Sequence, residues 1–306
     1  MQDFEFLRPA SVDEALQYSR AHPEARLLAG GQSLLAAMRL GLSAPTHLID
    51  LQDIPGLQDI RREGDLLHLG AMVTHARIAA SAVVRGFCPM LADLAAGIAD
   101  AQIRAVGTIG GALANNDPAA CWPAGMLALD ARFVTDRRTI PADTFFTGLY
   151  ATALLPGEML LAVRIPRPDA AHYRKQEQMA SRFALVGVAV ARFGTGEPST
   201  VRVAITGLGN GVQRWPDAEQ RLSAHWSAAQ LDGLAWSASA ALGDLHASAA
   251  YRAHLAQVLC RRCVAVLPAA SAVATPEPAA SRPSPFRALA MRLEQFLQTL
   301  SRRLTR

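Results

Sequence analysis

Lysine is all but missing from this chain: Lys175 stands alone beside 29 arginines. Cysteine is also scarce. Cys88, Cys121, Cys260 and Cys263, spread over 306 residues, do not make a disulfide scaffold, and a reducing cytoplasm is the expected setting. No run of about 18 apolar residues occurs, which excludes a membrane-spanning helix. The opening Met1-Gln2-Asp3-Phe4-Glu5 is acidic and lacks the basic start and apolar run of a secretory signal. The eight histidines are dispersed, so no metal-binding spacing appears. Cys260-Arg261-Arg262-Cys263 has CxxC spacing, but no second cluster completes a zinc or iron–sulfur site. On a helix these two cysteines share a face and read as packing residues, with a redox pair as the alternative. There is no nucleophile elbow, no Walker pattern and no GxGxxG. Gly207-Leu208-Gly209-Asn210-Gly211 has the wrong spacing, which excludes a Rossmann dinucleotide site. Excess charge is absent from most of the chain. Arg282, Arg287, Arg292, Arg302, Arg303 and Arg306, against Glu277 and Glu294, supply the whole net +4. The rest is balanced, so nothing points to nucleic acid.

What is present is apolar and periodic. Hydrophobic residues make up 51% of the chain, enough for two domains or one large one. Ser11 and Glu14 have capping-box spacing and predict a helix to about Ala21. Strands are expected over 27–28 and 47–51, and a hairpin over 57–70 about Glu63-Gly64-Asp65. Helices follow over 75–80, 90–96 and 124–128, then a hairpin over 133–140 and a strand over 158–165. Pro166 and Pro168 stop that strand and mark a boundary. Beyond them come strands over 185–193 and 201–206 and helices over 218–222, 227–242 and 251–266. Strands followed by helices predict an α+β layer. Residues 269–285 read as a Pro/Ala/Ser linker. Phe286, Leu289, Leu293, Phe296, Leu297, Leu300 and Leu304 then recur at helical spacing among arginines, which makes 286–306 an amphipathic basic helix.

Two stretches share one grammar. Ala25-Arg26-Leu27-Leu28-Ala29-Gly30-Gly31-Gln32-Ser33-Leu34-Leu35 runs from a short strand into paired glycines, with Ser33 placed to cap a helix over 34–40. Thr108-Ile109-Gly110-Gly111-Ala112-Leu113-Ala114-Asn115-Asn116-Asp117-Pro118 repeats the pattern. Glycine takes φ > 0 at no steric cost, and successive N–H groups in such turns form anion-binding concavities. Two such loops suit a ligand with two phosphates; an ordinary Gly-Gly turn is the plain alternative for either one.

Further runs appear in a definite order: His47-Leu48-Ile49-Asp50-Leu51, Asp100-Ala101-Gln102-Ile103-Arg104, Pro156-Gly157-Glu158-Met159-Leu160 and Ser181-Arg182-Phe183-Ala184-Leu185-Val186. Together with the two glycine loops they make about residues 1–268 resemble the FAD-binding medium subunits of molybdenum hydroxylases. The resemblance is greatest to those of aerobic carbon monoxide dehydrogenases, and the flavin domain of xanthine dehydrogenases is similar. It implies an α/β, two-subdomain FAD-binding fold of the vanillyl-alcohol-oxidase (PCMH) type over 1–168, with subdomains of about 1–56 and 57–168. An α+β C-terminal domain over 169–268 would follow. By the same resemblance the chain is an oxidoreductase subunit, active only with partners. Electrons come from the [2Fe–2S] clusters of a small subunit, fed by a molybdopterin-binding large subunit, and leave through FAD to a quinone or another acceptor. A dimer of heterotrimers is implied. The basic tail suggests peripheral contact with the inner face of the membrane.

The resemblance also assigns residues. FAD would lie along Leu28, Ala29, Gly30, Gly31, Gln32, Ser33, Leu34 and Leu35, and along Thr108, Ile109, Gly110, Gly111 and Ala112. Ile98 would pack on the ring, the Leu160 backbone would meet the flavin, and Lys175 would lie near the ring, where a cation stabilises the charge of reduced flavin. Gln32 in the first loop implies non-covalent FAD. Two positions depart from the family. Ala112 replaces a common Asn, and Cys121 stands where an Asp usually contacts the ribityl or ribose hydroxyls. A thiol accepts poorly, and Asp117 is the candidate to compensate. Arg182-Phe183 replaces the Asp-Tyr of some relatives. No residue is assigned a catalytic or metal-binding role. The alternatives are a stand-alone flavin oxidase and a non-catalytic assembly module that has lost FAD.

Overall fold

The first strands are short and lie side by side in parallel. In the computed structural model, which describes residues 2–268, Glu5–Leu7, His47–Asp50 and Arg26–Leu28 form a three-stranded sheet with His47–Asp50 in the middle. Parallel neighbours need crossovers. The first is the helix Val12–Ala21, begun as its sequence predicts: the Glu14 N–H donates to Ser11 Oγ, and the Glu14 carboxylate reaches back to the Ala10 N–H. The second is Leu34–Arg39. Ser33 sits at its N-cap in helical geometry and makes no side-chain cap bond, so the expected capping role is not filled.

Residues 60–166 build a five-stranded antiparallel sheet. Its order is Ile60–Glu63, Leu66–Gly70, Leu160–Pro166, Arg132–Thr135, Thr139–Pro141. The strand Leu160–Pro166 therefore returns from far along the chain to sit in the centre, between strands separated by six helices. The core packs these helices on the sheet, with Trp122, Phe133, Phe145, Met90 and Leu91 fully buried. The helix expected over 124–128 begins earlier, at Cys121, because Pro123 falls in the first turn, where its missing N–H costs nothing. Ala101–Val106 is an additional helix, capped by Asp100, which accepts from the Ile103 N–H at 2.8 Å.

Ala170–Glu177, Ala184–Phe193, Thr200–Thr206 and Gln213–Arg214 form an antiparallel meander. The helix Ala249–Val266 packs on it, and Val188, Val190, Val203, Ile205, Leu259, Cys260 and Cys263 share that core. The first strand, Ala-Ala-His-Tyr-Arg-Lys-Gln-Glu, was not foreseen. Its composition is polar because it is an edge strand. The helix expected over 227–242 does not form. Only the short 3-10 turns Ala228–Leu231 and Ala238–Ala240 are present. Gly233 breaks the stretch at φ +68°, and Ser227 bonds the backbone locally, accepting from the Ala229 N–H. The linker over 269–285 and the helix expected over 286–306 lie outside the described residues. No described helix is long and apolar enough to cross a membrane.

Candidate functional site

The two glycine stretches meet. A Cβ on Gly30 would lie 2.4 Å from the Val106 carbonyl oxygen and 2.7 Å from Gly107 Cα, and one on Gly111 would lie 3.3 Å from Ala29 Cβ. Backbone approach this close needs glycine. The loop after Arg26–Leu28 is thereby laid against the start of the helix Ile109–Asn115.

Their donors differ. The backbone N–H groups of Gly30, Gly31, Gln32, Ser33 and Leu34 donate to no acceptor among the described residues. Gly31 has φ +70°, the left-handed backbone that aims successive N–H groups together. Gln32 and Ser33 are exposed, and Gln32 Nε2 donates back to the Gly30 carbonyl at 3.0 Å. In the second stretch the expectation of a donor-rich turn with φ > 0 is overturned. Gly110 and Gly111 form the first turn of a helix, and neither has positive φ. The Gly110 N–H donates to Ala71 O at 2.8 Å, Gly111 to Thr108 Oγ1 at 3.1 Å, and Ala112 to Thr108 O at 3.1 Å. Gly110 is glycine because a Cβ would strike Ala71, its oxygen and its Cβ both at 2.6 Å.

Beneath the second stretch sits a residue that the sequence reading missed. His75 is buried, its backbone N–H donates to the Gly107 carbonyl at 2.9 Å, and its ring Nδ1 accepts from Trp122 Nε1 at 3.1 Å. Burial, helped by Arg104, lowers its pKa to about 4, so the ring is neutral. A lone histidine five positions after a strand carried no signal for this.

A second group of assigned residues gathers where the edge strand Ala170–Glu177 meets the helices. Lys175 Nζ donates to the carbonyls of Gly97, at 2.8 Å, and Arg182. Ile98 is therefore next to Lys175, half-buried against the core, and Arg104 holds its carbonyl. Cys121 is buried in the first turn of its helix, and burial pushes its thiol pKa upward. Asp117 Oδ1 accepts from the Ala119 N–H and Oδ2 from the Tyr150 hydroxyl at 3.1 Å. Leu160 turns its side chain into the core at the head of the central strand. Leu28, Leu34 and Leu35 are half-buried, Ile109 is fully buried and Ala112 half-buried. No group of His, Cys, Asp or Glu able to hold a metal occurs among the described residues.

The chemistry of this donor set fits a flavin dinucleotide. Five unpaired N–H groups in one partly exposed loop suit a diphosphate, and a single ammonium on a largely buried side chain suits a ring that gains negative charge on reduction. Comparison with known proteins agrees. Residues 2–168 match the FAD binding domain in molybdopterin dehydrogenase, and residues 171–267 the CO dehydrogenase flavoprotein C-terminal domain. The chain is 38% identical over 270 residues to the nicotine 6-hydroxylase medium subunit of Paenarthrobacter nicotinovorans, covering 85% of this chain and 95% of that one. It is 34% identical over 275 residues to the carbon monoxide dehydrogenase medium chain of Afipia carboxidovorans, again covering 85% and 95%. In a solved carbon monoxide dehydrogenase from Hydrogenophaga pseudoflava a matching chain superposes with TM-score 0.80 at 34% identity, covering 86% of this chain and 96% of that one. The quinoline 2-oxidoreductase of Pseudomonas putida 86 gives 0.78 at 29% identity, with the same coverage. The α/β FAD-binding unit followed by an α+β C-terminal domain is thus the fold of this chain, which belongs to the FAD-binding medium subunits of molybdenum hydroxylase-type dehydrogenases.

Proposed function

We propose that this subunit carries one non-covalent FAD between the two glycine stretches and works inside a dimer of heterotrimers, with a molybdopterin-binding large subunit and a [2Fe–2S] small subunit. FAD supplies the redox chemistry, taking electrons from the partner's clusters and delivering them to a quinone or another acceptor. The observation that carries this reading is the run of unpaired N–H donors from Gly30 to Leu34, laid against Gly107 to Gly111. In this reading those donors hold the diphosphate, Ile98 packs on the ring, and Lys175 places its ammonium at the ring's electron-rich edge. Leu160 and Asp117 border the cofactor. The domain division at Pro166–Pro168 and the subdomain division near residue 56 belong to the same proposal.

The purified full chain is expected to show a flavin absorption spectrum, with all FAD in the supernatant after acid precipitation. Gly31→Val places a β-branched residue at φ +70°, with a Cβ 3.0 Å from Leu35 Cδ1. It should weaken FAD binding at least tenfold while leaving most of the melting temperature intact. Flavin precipitating with the protein refutes the non-covalent reading, and unchanged affinity in Gly31→Val refutes the loop assignment. A chain that neither contains nor takes up FAD supports the assembly-module alternative.

Residues 286–306 place seven large apolar residues at helical spacing beside five arginines, beyond both matched domains. We propose that this tail contacts an anionic membrane surface on the cytoplasmic side, where a quinone acceptor is reached.

A further inference from the structure

The loop between the second glycine stretch and the helix Cys121–Ala128 is gripped from the other domain. Residues 117–120 close on themselves: the Ala120 N–H donates to the Asp117 carbonyl at 2.9 Å, and the Ala119 N–H to Asp117 Oδ1 at 2.8 Å. That turn spends the loop's N–H groups. Among the described residues, the carbonyls of Pro118, Ala119 and Ala120 accept nothing from the FAD-binding domain. All three are taken by the C-terminal domain. The Thr206 hydroxyl lies 2.7 Å from Pro118 O and 3.0 Å from Ala120 O, so its one proton bridges the two. The Gly207 N–H donates to Pro118 O at 2.9 Å, and the Ala184 N–H to Ala119 O at 3.3 Å. Thr206 is fully buried, so its hydroxyl has no bulk water to bond instead. The grip is itself held. Arg252 Nη1 donates to the carbonyls of Leu185 and Gly207, the latter at 2.9 Å, and Nη2 pairs with Asp244 at 2.6 Å. Only glycine fits at 207, where φ is +83° and a Cβ would strike the Leu185 carbonyl oxygen.

We infer that the C-terminal domain completes the flavin site, with Thr206 as the positioning residue that sets the Asp117 carboxylate to accept from a sugar or ribityl hydroxyl of FAD. The inference rests on the proposed placement of Asp117 beside the cofactor. Asp117 Oδ1 accepts from Ala119 and Oδ2 from Tyr150, and each carboxylate oxygen has two lone pairs, so capacity remains for a hydroxyl donor. Such an acceptor works only from a fixed position. One end of the loop is fixed within its own domain, where buried Asn116 donates to the carbonyls of Gly148 and Ala151. Beyond Asp117, Ala119 and Ala120 offer only methyl groups for packing. The hydrogen bonds from Thr206, Gly207 and Ala184 therefore fix the other end.

The test is FAD titration of the full chain freed of flavin, beside urea melts, for the wild type, Thr206→Val, Thr206→Ser, Asp117→Ala and the double variant Thr206→Val/Asp117→Ala. Valine keeps the shape of threonine and removes the hydroxyl, whereas serine keeps the hydroxyl. Thr206→Val is expected to weaken FAD binding by about tenfold or more, the worth of one hydrogen bond to a charged group. Thr206→Ser should stay within about threefold of the wild type. Asp117→Ala should weaken binding as Thr206→Val does. Adding Thr206→Val to it should cost less than about threefold more, because residues that act through one another are not additive. The same loss in both backgrounds shows a role in stability alone and overturns the inference, as does unchanged affinity in Thr206→Val. Unchanged affinity in Asp117→Ala overturns the placement of Asp117 and the inference with it, and a wild type that binds no FAD overturns the proposed function. If Thr206→Val does not fold, amide hydrogen exchange of the wild-type chain decides. FAD should slow exchange at Ala184 and Gly207 by about threefold or more; equal exchange with and without FAD overturns the inference.

Discussion

Gly30-Gly31 and Gly110-Gly111 look alike in sequence and do opposite work. The first pair ends a parallel strand in an exposed loop whose N–H groups are unpaired among the described residues, with Gly31 left-handed. The second pair is helical, its N–H groups are consumed by Ala71 and Thr108, and its glycines exist to let backbone pack on backbone. A Gly-Gly dipeptide is permission for close approach. What approaches, a ligand or another strand, is decided by whether the backbone donors are already used. Substitutions in the first loop should therefore be read in affinity, and those in the second in stability first.

The largest expected effect tests that division directly. Gly110→Val drives a side chain into Ala71 at 2.6 Å. Overpacking of a buried site typically costs about 1–3 kcal/mol, so melting temperature and FAD content should fall together. Gly110→Val that loses FAD at full stability would erase the distinction between the loops.

Acid should act on the second loop through His75. His75 is held near pKa 4 in the fold, against 6.5 for the free group. Between these values the unfolded chain takes up a proton that the folded chain refuses. Stability is therefore full above about pH 6.5 and declines as pH falls toward 4, by roughly 3 kcal/mol at 1.36 kcal/mol per unit. His68 and His172 are also lowered, chiefly by burial. The slope belonging to His75 is therefore the difference between wild type and His75→Gln in urea melts across that window. Identical slopes would remove the His75 ring as a source of the acid sensitivity.

Thr108→Val deletes the hydroxyl that accepts from the Gly111 N–H. Loss of such a cap costs about 1 kcal/mol. FAD affinity should follow only as far as stability does, measured by calorimetry beside FAD titration. The smallest effect belongs to the tail. Truncation at residue 270 should change neither FAD content nor melting temperature, but should abolish co-sedimentation with anionic vesicles. Equal sedimentation of both forms would sink the membrane contact.

Much of this was legible from particular residues. Ser11 and Glu14 announced their helix, and Glu63-Gly64-Asp65 its hairpin, because local hydrogen bonds and backbone preferences decide such features within a few residues. The 227–242 stretch misled because alanine-rich composition favours helix, while Gly233 turns left-handed and Ser227 bonds the backbone locally. Edge strand Ala170–Glu177 was invisible because its polar residues are satisfied by position, not by pattern.

The sequence by itself determined the family, the order of the modules, the neutral core and the solitary lysine, since motifs and composition are written residue by residue. Only the tertiary structure decided which glycine loop keeps its donors and why His75 matters. It alone put the Lys175 ammonium on the Gly97 carbonyl, 78 positions away. Those outcomes depend on groups distant in the chain competing for the same hydrogen bonds and the same buried space, and that competition exists only once the chain has folded.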